Sequence, residues 1–186
     1  MNSPLPFFIF GVARSGTNLV ARMIDAHPRA TVALDPLLPL FRAWRNQLAT
    51  ASARSLKSPW NPQSPLQDYY FAEDGTALLR MILDADASQP LPKGVLESLL
   101  PAVRDRAALE SPELSAAFHS WSGDTWTELL QSTLSIIGGA GKTVDAVGVK
   151  EVWTIEFLPA LARALPEAHF IILHRDPRGV VASQMA

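Results

Sequence analysis

The chain has 186 residues and a formal net charge of -2, and 48% of its residues are hydrophobic. That apolar content supports a packed core and excludes global disorder, while the balanced charge gives no sign of a nucleic-acid partner. No cysteine is present, which excludes disulfides, cysteine-ligated zinc and thiol catalysis. Because the sequence shows neither an apolar run of the ~18 residues that span a membrane nor a leader pattern at its start, we predict a cytoplasmic location.

Short apolar runs alternate with helical spacing along the chain, and the run at 49–68 is rich in Ser, Pro, Asn and Gln and predicts a long surface loop. The helical patterns between residues 70 and 140 predict a mainly helical insertion. In chain order, the predicted elements are a strand at 7–12, a helix at 18–26, a strand at 31–34, helices at 37–47, 74–86, 94–109 and 125–137, a strand at 146–149, a helix at 154–165, a strand at 169–173 and a helix from Pro177.

This alternation predicts one α/β domain over residues 1–186, with a parallel sheet between two layers of helices. In such sheets, ligands bind beyond the carboxyl ends of the strands. Two predicted loops lie at such ends, at 13–17 and at 174–178. We therefore expect both loops to contribute to a binding site.

The first of these loops is a candidate phosphate site. Residues 11–18 read GVARSGTN and keep the G-x-x-x-x-G spacing of a P-loop between a strand and a helix, so the predicted fold is P-loop NTPase-like. Its glycines and the helix N-terminus offer backbone N–H groups to an anion. Thr17 and Asn18 replace the Lys and Ser/Thr of nucleotide hydrolases, which makes the loop poorly suited to ATP with magnesium. The alternative is a strand–turn–helix joint without a ligand.

The second loop carries a candidate anion pair. Residues 170–178 read FIILHRDPR, so Arg175 stands at a strand end, and Ser183 lies about two turns into the next helix. A guanidinium and a hydroxyl group can bind one phosphate together. The alternative is that Arg175 and Asp176 form surface ion pairs while Ser183 packs within its helix.

Together the two loops resemble the sulfotransferases that use 3′-phosphoadenosine-5′-phosphosulfate (PAPS). Residues 13–18 look like the 5′-phosphosulfate loop of that family, and residues 175–183 look like its 3′-phosphate motif. The resemblance implies sulfuryl transfer from PAPS, as co-substrate, to a hydroxyl or amine of a small-molecule or carbohydrate acceptor, with no metal. It implies binding of PAPS by seven residues: Arg14, Ser15, Gly16, Thr17, Asn18, Arg175 and Ser183.

The sequence departs from the family pattern at several points. Some relatives carry lysine in place of Arg14 and a second threonine in place of Asn18. Family members also continue well beyond the position of Ala186, so the resemblance predicts a chain truncated at its C-terminus. For a truncated chain, the alternative function is that of a non-catalytic module, which binds adenosine 3′,5′-bisphosphate or interacts with a partner.

The resemblance implies Arg14, Asp35 and Lys150 as catalytic residues. Asp35 and the proline after it look like the Glu-Pro of carbohydrate-type members, which implies Asp35 as the base, although an Asp here also suits a helix N-cap. Lys150 looks like a family lysine that neutralises leaving-group charge; otherwise it is a solvated lysine or a partner of Glu151. Val152 stands where the branch with a histidine base has its histidine, which argues against that branch.

A rival interpretation rests on residues 138–143, which read GGAGKT and end like a Walker A motif. The first required glycine is replaced by Ile136, and the motif lies between a predicted helix and a predicted strand, which is the wrong context. A P-loop ATPase or kinase is therefore the weaker alternative. The sequence leaves the acceptor and the oligomeric state open. Five tryptophans either line an acceptor site or are simply buried: Trp44, Trp60, Trp121, Trp126 and Trp153.

Overall fold

The computed structural model describes residues 3–51, 75–139, 143–152 and 154–185. Within these ranges lie four strands, eight α-helices and two short 3₁₀ turns. The strands are β1 (Leu5–Gly11), β2 (Ala30–Leu34), β3 (Ala146–Val152) and β4 (His169–Ile172). The helices are α1 (Thr17–Asp25), α2 (Leu38–Ala51), α3 (Gly75–Leu83), α4 (Val95–Ala108), α5 (Pro112–Ala117), α6 (Trp126–Gly139), α7 (Leu158–Ala164) and α8 (Pro177–Met185).

The four strands form one parallel sheet in the order β2-β3-β1-β4. Because all four run in the same direction, their carboxyl ends lie at one edge of the sheet. Helices connect successive strands, as parallel pairing requires. The predicted α/β fold with a parallel sheet is confirmed.

Both faces of the sheet are buried, which explains why its strands read as continuous apolar runs rather than as alternating patterns. Phe8 and Phe10 belong to a large apolar cluster formed with residues of α2, α3, α4, α6 and α7. Phe7 and Ile9 point to the opposite face, where they belong to a smaller cluster with Ala21 of α1. The sheet is therefore the middle of three layers.

Between α2 and β3, the described residues are mainly helical. The patterns at 74–86, 94–109 and 125–137 correspond to α3, α4 and α6. Helix α5 was not predicted, although the Ser111 side chain accepts a hydrogen bond from the amide of Leu114 and Pro112 occupies the first turn, which is a recognisable start signal. The predicted single helix at 154–165 is a 3₁₀ turn, Ile155–Phe157, followed by α7.

The remaining differences concern element ends. Helix α2 continues to Ala51, so the first three residues of the predicted loop at 49–68 are helical instead, and the rest of that range lies outside the described residues. Strand β3 continues to Val152, three residues beyond its predicted end. No helix in the described part of the chain is both long enough and apolar enough to cross a membrane.

Candidate active site

Each of the four strands delivers polar residues to the carboxyl edge of the sheet. The loop that carries Arg14 follows β1, and Asp35 follows β2 directly. Lys150 lies near the end of β3, and Arg175 follows β4. These residues are far apart in sequence, and the parallel topology alone brings them to one side of the molecule.

The loop after β1 is held in a tight conformation. Gly16 has a φ of 101°, and Arg14 has a φ of 67°, which is unusual for a residue with a side chain. A Cβ atom at Gly11 would lie 2.6 Å from Ser15 Oγ and 2.8 Å from Thr17 Cγ2, so only glycine fits there without a shift of the loop. Ser15 is buried, and its amide donates to the Val12 carbonyl at 3.1 Å. The loop is therefore closely packed on the end of β1.

Helix α1 begins directly after this loop and has no side-chain cap, because Gly16 occupies the N-cap position. The first amides of a helix lack partners within the helix and favour a negative charge. With its N-terminus at the carboxyl edge of the sheet, α1 can donate backbone hydrogen bonds to an anion. The amide of Ser15 is not among these donors, because it is already used within the loop.

The two predicted anion motifs contact one another. Arg14 Nε donates to Ser183 Oγ at 3.1 Å and to the Ser183 carbonyl at 3.0 Å. Arg175 donates from one terminal nitrogen to the Arg14 carbonyl at 2.8 Å. Arg175 and Ser183 are therefore linked through Arg14. Asp176 pairs with Arg178 rather than with Arg175, and within the described residues no ion pair supports the surface-pair alternative for Arg175.

A cavity of about 380 Å³ lies between the motifs. It also reaches Val152 at the end of β3 and Ala13 in the first loop. Ser15 is the one predicted site residue that does not line the cavity. Its Oγ is buried and has no hydrogen-bond partner in the described structure. The other predicted site residues line the cavity together: Arg14, Gly16, Thr17, Asn18, Asp35, Lys150, Arg175 and Ser183.

Asp35 and Lys150 form an ion pair in the wall of this cavity. The second carboxylate oxygen of Asp35 accepts from the amide of Val152 at 3.1 Å. Lys150 is only 1% exposed, so it is not the solvated lysine that one alternative described. Asp35 does not cap α2 either, because its side-chain hydrogen bonds are directed to β3.

The backbone of Asp35 is as constrained as its side chain. Its φ of 51° lies in the left-handed region, which Asp tolerates better than most residues. Its amide donates to the Lys150 carbonyl at 2.7 Å, and its carbonyl accepts from Arg106 Nε of α4 at 3.1 Å. The residue is therefore held by β3 on one side and by the helical layer on the other.

Glu151 stands next to Lys150 but points to the opposite face of the sheet. It is completely buried, and one of its oxygens accepts from the amide of Leu37 at 2.5 Å. Burial raises the pKa of Glu151 well above its usual range, and the negative charge of Asp35 raises it further. From the sequence, Glu151 is predicted only as an alternative partner of Lys150. Two adjacent ionisable residues in an apolar strand pattern are the signal that could have identified it.

None of the three described tryptophans lines this cavity. Trp44 and Trp126 stack with their ring centroids 5.5 Å apart in the core, and Trp121 is also buried. Trp60 and Trp153 lie outside the described residues. Around the segment 138–143, helix α6 precedes and β3 follows, which is the reverse of the strand–loop–helix order of a P-loop, although residues 140–142 are themselves outside the described ranges.

Comparison with known families agrees with this geometry. The family model described as the sulfotransferase family matches residues 6–186, which is nearly the whole chain. The chain therefore belongs to the sulfotransferase family, whose activity is the transfer of sulfuryl groups. No curated protein matches the sequence.

Proposed function

We propose that this protein transfers the sulfuryl group of PAPS to a hydroxyl or amine group on a small-molecule or carbohydrate acceptor, in the cytoplasm. The observation that supports this most directly is the single cavity that joins both anion motifs to the Asp35–Lys150 pair. A donor with phosphate at both ends and a transferable group near one end needs such an arrangement. Family membership supports the reaction class, and the cavity supports this particular donor.

The chemistry of the cavity wall suits a multiply charged anion. Arg14, Lys150 and Arg175 bring three positive charges to it, and Asp35 brings one negative charge. The uncapped N-terminus of α1 adds backbone donors beside them. Arginine binds phosphate through two parallel N–H groups, which suits Arg175, together with the Ser183 hydroxyl, to the 3′-phosphate. The first loop is then suited to the 5′ end of the donor.

The proposed reaction is an in-line displacement at sulfur. When PAPS is bound it supplies the sulfuryl group: the bond from sulfur to the phosphate oxygen breaks as the bond to the acceptor atom forms. Asp35 accepts the proton that the acceptor loses, since its carboxylate retains lone pairs beyond the two that Lys150 and Val152 use. Lys150 and Arg14 stabilise the negative charge on the leaving phosphate, and such stabilisation is a large part of catalysis in related transfers.

A second candidate function is binding of adenosine 3′,5′-bisphosphate without turnover. It shares the anion motifs and differs only in the role of Asp35. In that case, replacement of Asp35 would leave the protein's function unchanged. The Asp35–Lys150 pair in the cavity wall favours the enzyme, because a binding site for a polyanion gains nothing from a carboxylate.

The first experiment is calorimetric titration of the purified protein with adenosine 3′,5′-bisphosphate, with ATP–magnesium titrated alongside. We expect the bisphosphate to bind and Arg175→Ala to weaken binding by roughly 10- to 100-fold, the effect of losing charge-assisted hydrogen bonds. Arg178→Ala is the matched control, because Arg178 is highly exposed and pairs with Asp176 outside the cavity. A folded protein that ignores the bisphosphate, or that prefers ATP–magnesium, contradicts the proposed donor.

A further inference from the structure

Glu151 is a buried acid that the proposed mechanism does not use. It is fully enclosed on the face of the sheet that packs against the helical layer, where its register partner on β1 is Phe10. One carboxyl oxygen accepts from the amide of Leu37, and the other has no hydrogen-bond partner in the part of the chain that the structure describes. Burial of a polar group is costly unless the group is hydrogen-bonded, so the bond from the Leu37 amide is the interaction that offsets part of this cost.

Glu151 holds the connection between β2 and α2 through the amide of Leu37. Leu37 stands two residues after Asp35, and its carbonyl accepts the first helical hydrogen bond of α2, from the amide of Phe41. Glu151 therefore fixes the far end of a three-residue turn whose near end is Asp35. At that near end, Asp35 is held by the Lys150 carbonyl and by Arg106.

This turn needs external support. Asp35 has a φ of 51°, a conformation that persists only when its surroundings determine it. Without the bond from Leu37 to Glu151, the turn would keep its contacts to β3 and α4 at Asp35 and lose the hydrogen bond of the Leu37 amide at its other end. The carboxylate of Asp35 would then lose its fixed place beside Lys150.

Burial, together with the negative charge of Asp35, favours the neutral form of Glu151. Asp35 at the end of β2 and Lys150 on β3 already form an ion pair, and Arg106 of α4 is engaged with the Asp35 carbonyl. Burial and the negative charge of Asp35 both raise the pKa of Glu151, and they outweigh the opposing effects of the Leu37 amide, Lys150 and Arg106. A neutral acid accepts the Leu37 hydrogen bond without placing a second negative charge beside Asp35.

We propose that Glu151 is a positioning residue for Asp35: by holding the amide of Leu37, it fixes the turn at 35–37 and keeps the Asp35 carboxylate at the cavity wall. This inference rests on the proposed role of Asp35 as the base. Glu151 itself does not line the cavity, so it acts through Asp35 rather than on the acceptor.

Amide hydrogen exchange followed by NMR tests the inference without an acceptor. The amide of Val152 reports on Asp35, because it donates to the Asp35 carboxylate at 3.1 Å. We expect Glu151→Ala to speed exchange at Leu37 and Val152 by at least tenfold, as a lost hydrogen bond predicts. Glu151→Gln, which resembles the neutral acid, should keep both amides protected. With an acceptor in hand, Glu151→Ala should lower kcat by roughly 10²-fold with little change in KM for PAPS.

Val149→Ala is the matched control, since Val149 lies on the same strand and the same face and is also completely buried. It should lower global stability without selectively exposing Leu37 and Val152. Unchanged protection of Val152 in Glu151→Ala would overturn the inference, and so would equal exchange in the Ala and Gln variants. Failure of the wild-type protein to bind adenosine 3′,5′-bisphosphate would instead contradict the proposed function and leave the exchange result standing.

Discussion

Backbone strain in the described residues is concentrated at the cavity. Arg14 and Asp35 are the two residues other than glycine with positive φ in the described ranges, and both line the cavity. Such conformations cost on the order of 1 kcal/mol each and persist where the surrounding structure fixes them. Arg14 is fixed by Arg175 and Ser183, and Asp35 by Lys150 and Arg106. Of these two strained residues, we assign proton transfer to Asp35 and, together with Lys150, stabilisation of the leaving group's charge to Arg14.

At this scale, the sharpest substitution is Asp35→Asn. Asparagine also tolerates positive φ, so the turn keeps its shape while the proton acceptor is lost. We expect turnover to fall by roughly 10²- to 10⁴-fold, the usual contribution of a general base, while affinity for adenosine 3′,5′-bisphosphate changes little. Steady-state kinetics and calorimetry on the same preparation measure the two quantities.

Two results would contradict this prediction. Full turnover in Asp35→Asn would remove Asp35 as the base while leaving sulfuryl transfer possible. A large loss of bisphosphate affinity would instead show that Asp35 shapes the donor site.

Among the elements, the loop between β1 and α1 depends most on close packing. Gly11 leaves no room for a Cβ atom, because Ser15 Oγ, Thr17 Cγ2 and the Leu173 carbonyl all lie within 3.2 Å of where it would stand. The loop, the start of α1 and the end of β4 therefore meet at one glycine. A small change there should disturb the donor site as a unit.

We expect Gly11→Ala to lower the free energy of unfolding by about 1–3 kcal/mol, as overpacking does, and to weaken bisphosphate binding. Gly139→Ala is the control, because a Cβ atom at the exposed end of α6 would meet nothing within 4 Å, and alanine favours a helix. Chemical denaturation and calorimetry compare the two variants. Equal behaviour of both would show that the loop relaxes easily around a methyl group.

Considered as a whole, the molecule buries a titratable group in the same layer that carries its large apolar cluster. Glu151 faces that layer, with Asp35, Lys150 and Arg106 as the charged groups around it. Its raised pKa makes the stability of the folded chain depend on pH, because the folded and unfolded states then bind protons differently.

Below the ordinary pKa of Glu, about 4.3, Glu151 is protonated in both the folded and the unfolded state. As the pH rises above that value, the unfolded state releases the proton while the folded state keeps it, so the wild type loses stability. Glu151→Gln does not titrate at this position, and we expect its stability relative to the wild type to increase from about pH 4.3 upward until the folded wild type also releases the proton. Urea denaturation at a series of pH values measures the difference. A pH-independent difference would mean that Glu151 titrates normally in the fold.

Local pattern was sufficient for the α/β class and for most of the elements. Apolar runs buried on both faces predict parallel strands, and small residues between a strand and a helix predict an anion loop, because these depend on neighbours along the chain. The missed α5 and the late end of β3 show that element ends depend on contacts made elsewhere. The sequence, through its resemblance to a known family, also indicates the candidate residues of the two anion motifs. It indicates Asp35 and Lys150 in the same way.

The sequence by itself thus determined the layers, the two motifs and the residue types at the edge of the sheet. Only the tertiary structure decided which of them meet: the order β2-β3-β1-β4 places the end of β3 between those of β1 and β2, so that Lys150 pairs with Asp35. It also decided that Glu151 supports the turn after Asp35, with Arg106 from a helix some seventy residues away in the chain. Strand order and helix docking are set by packing between distant segments, and no local pattern encodes them.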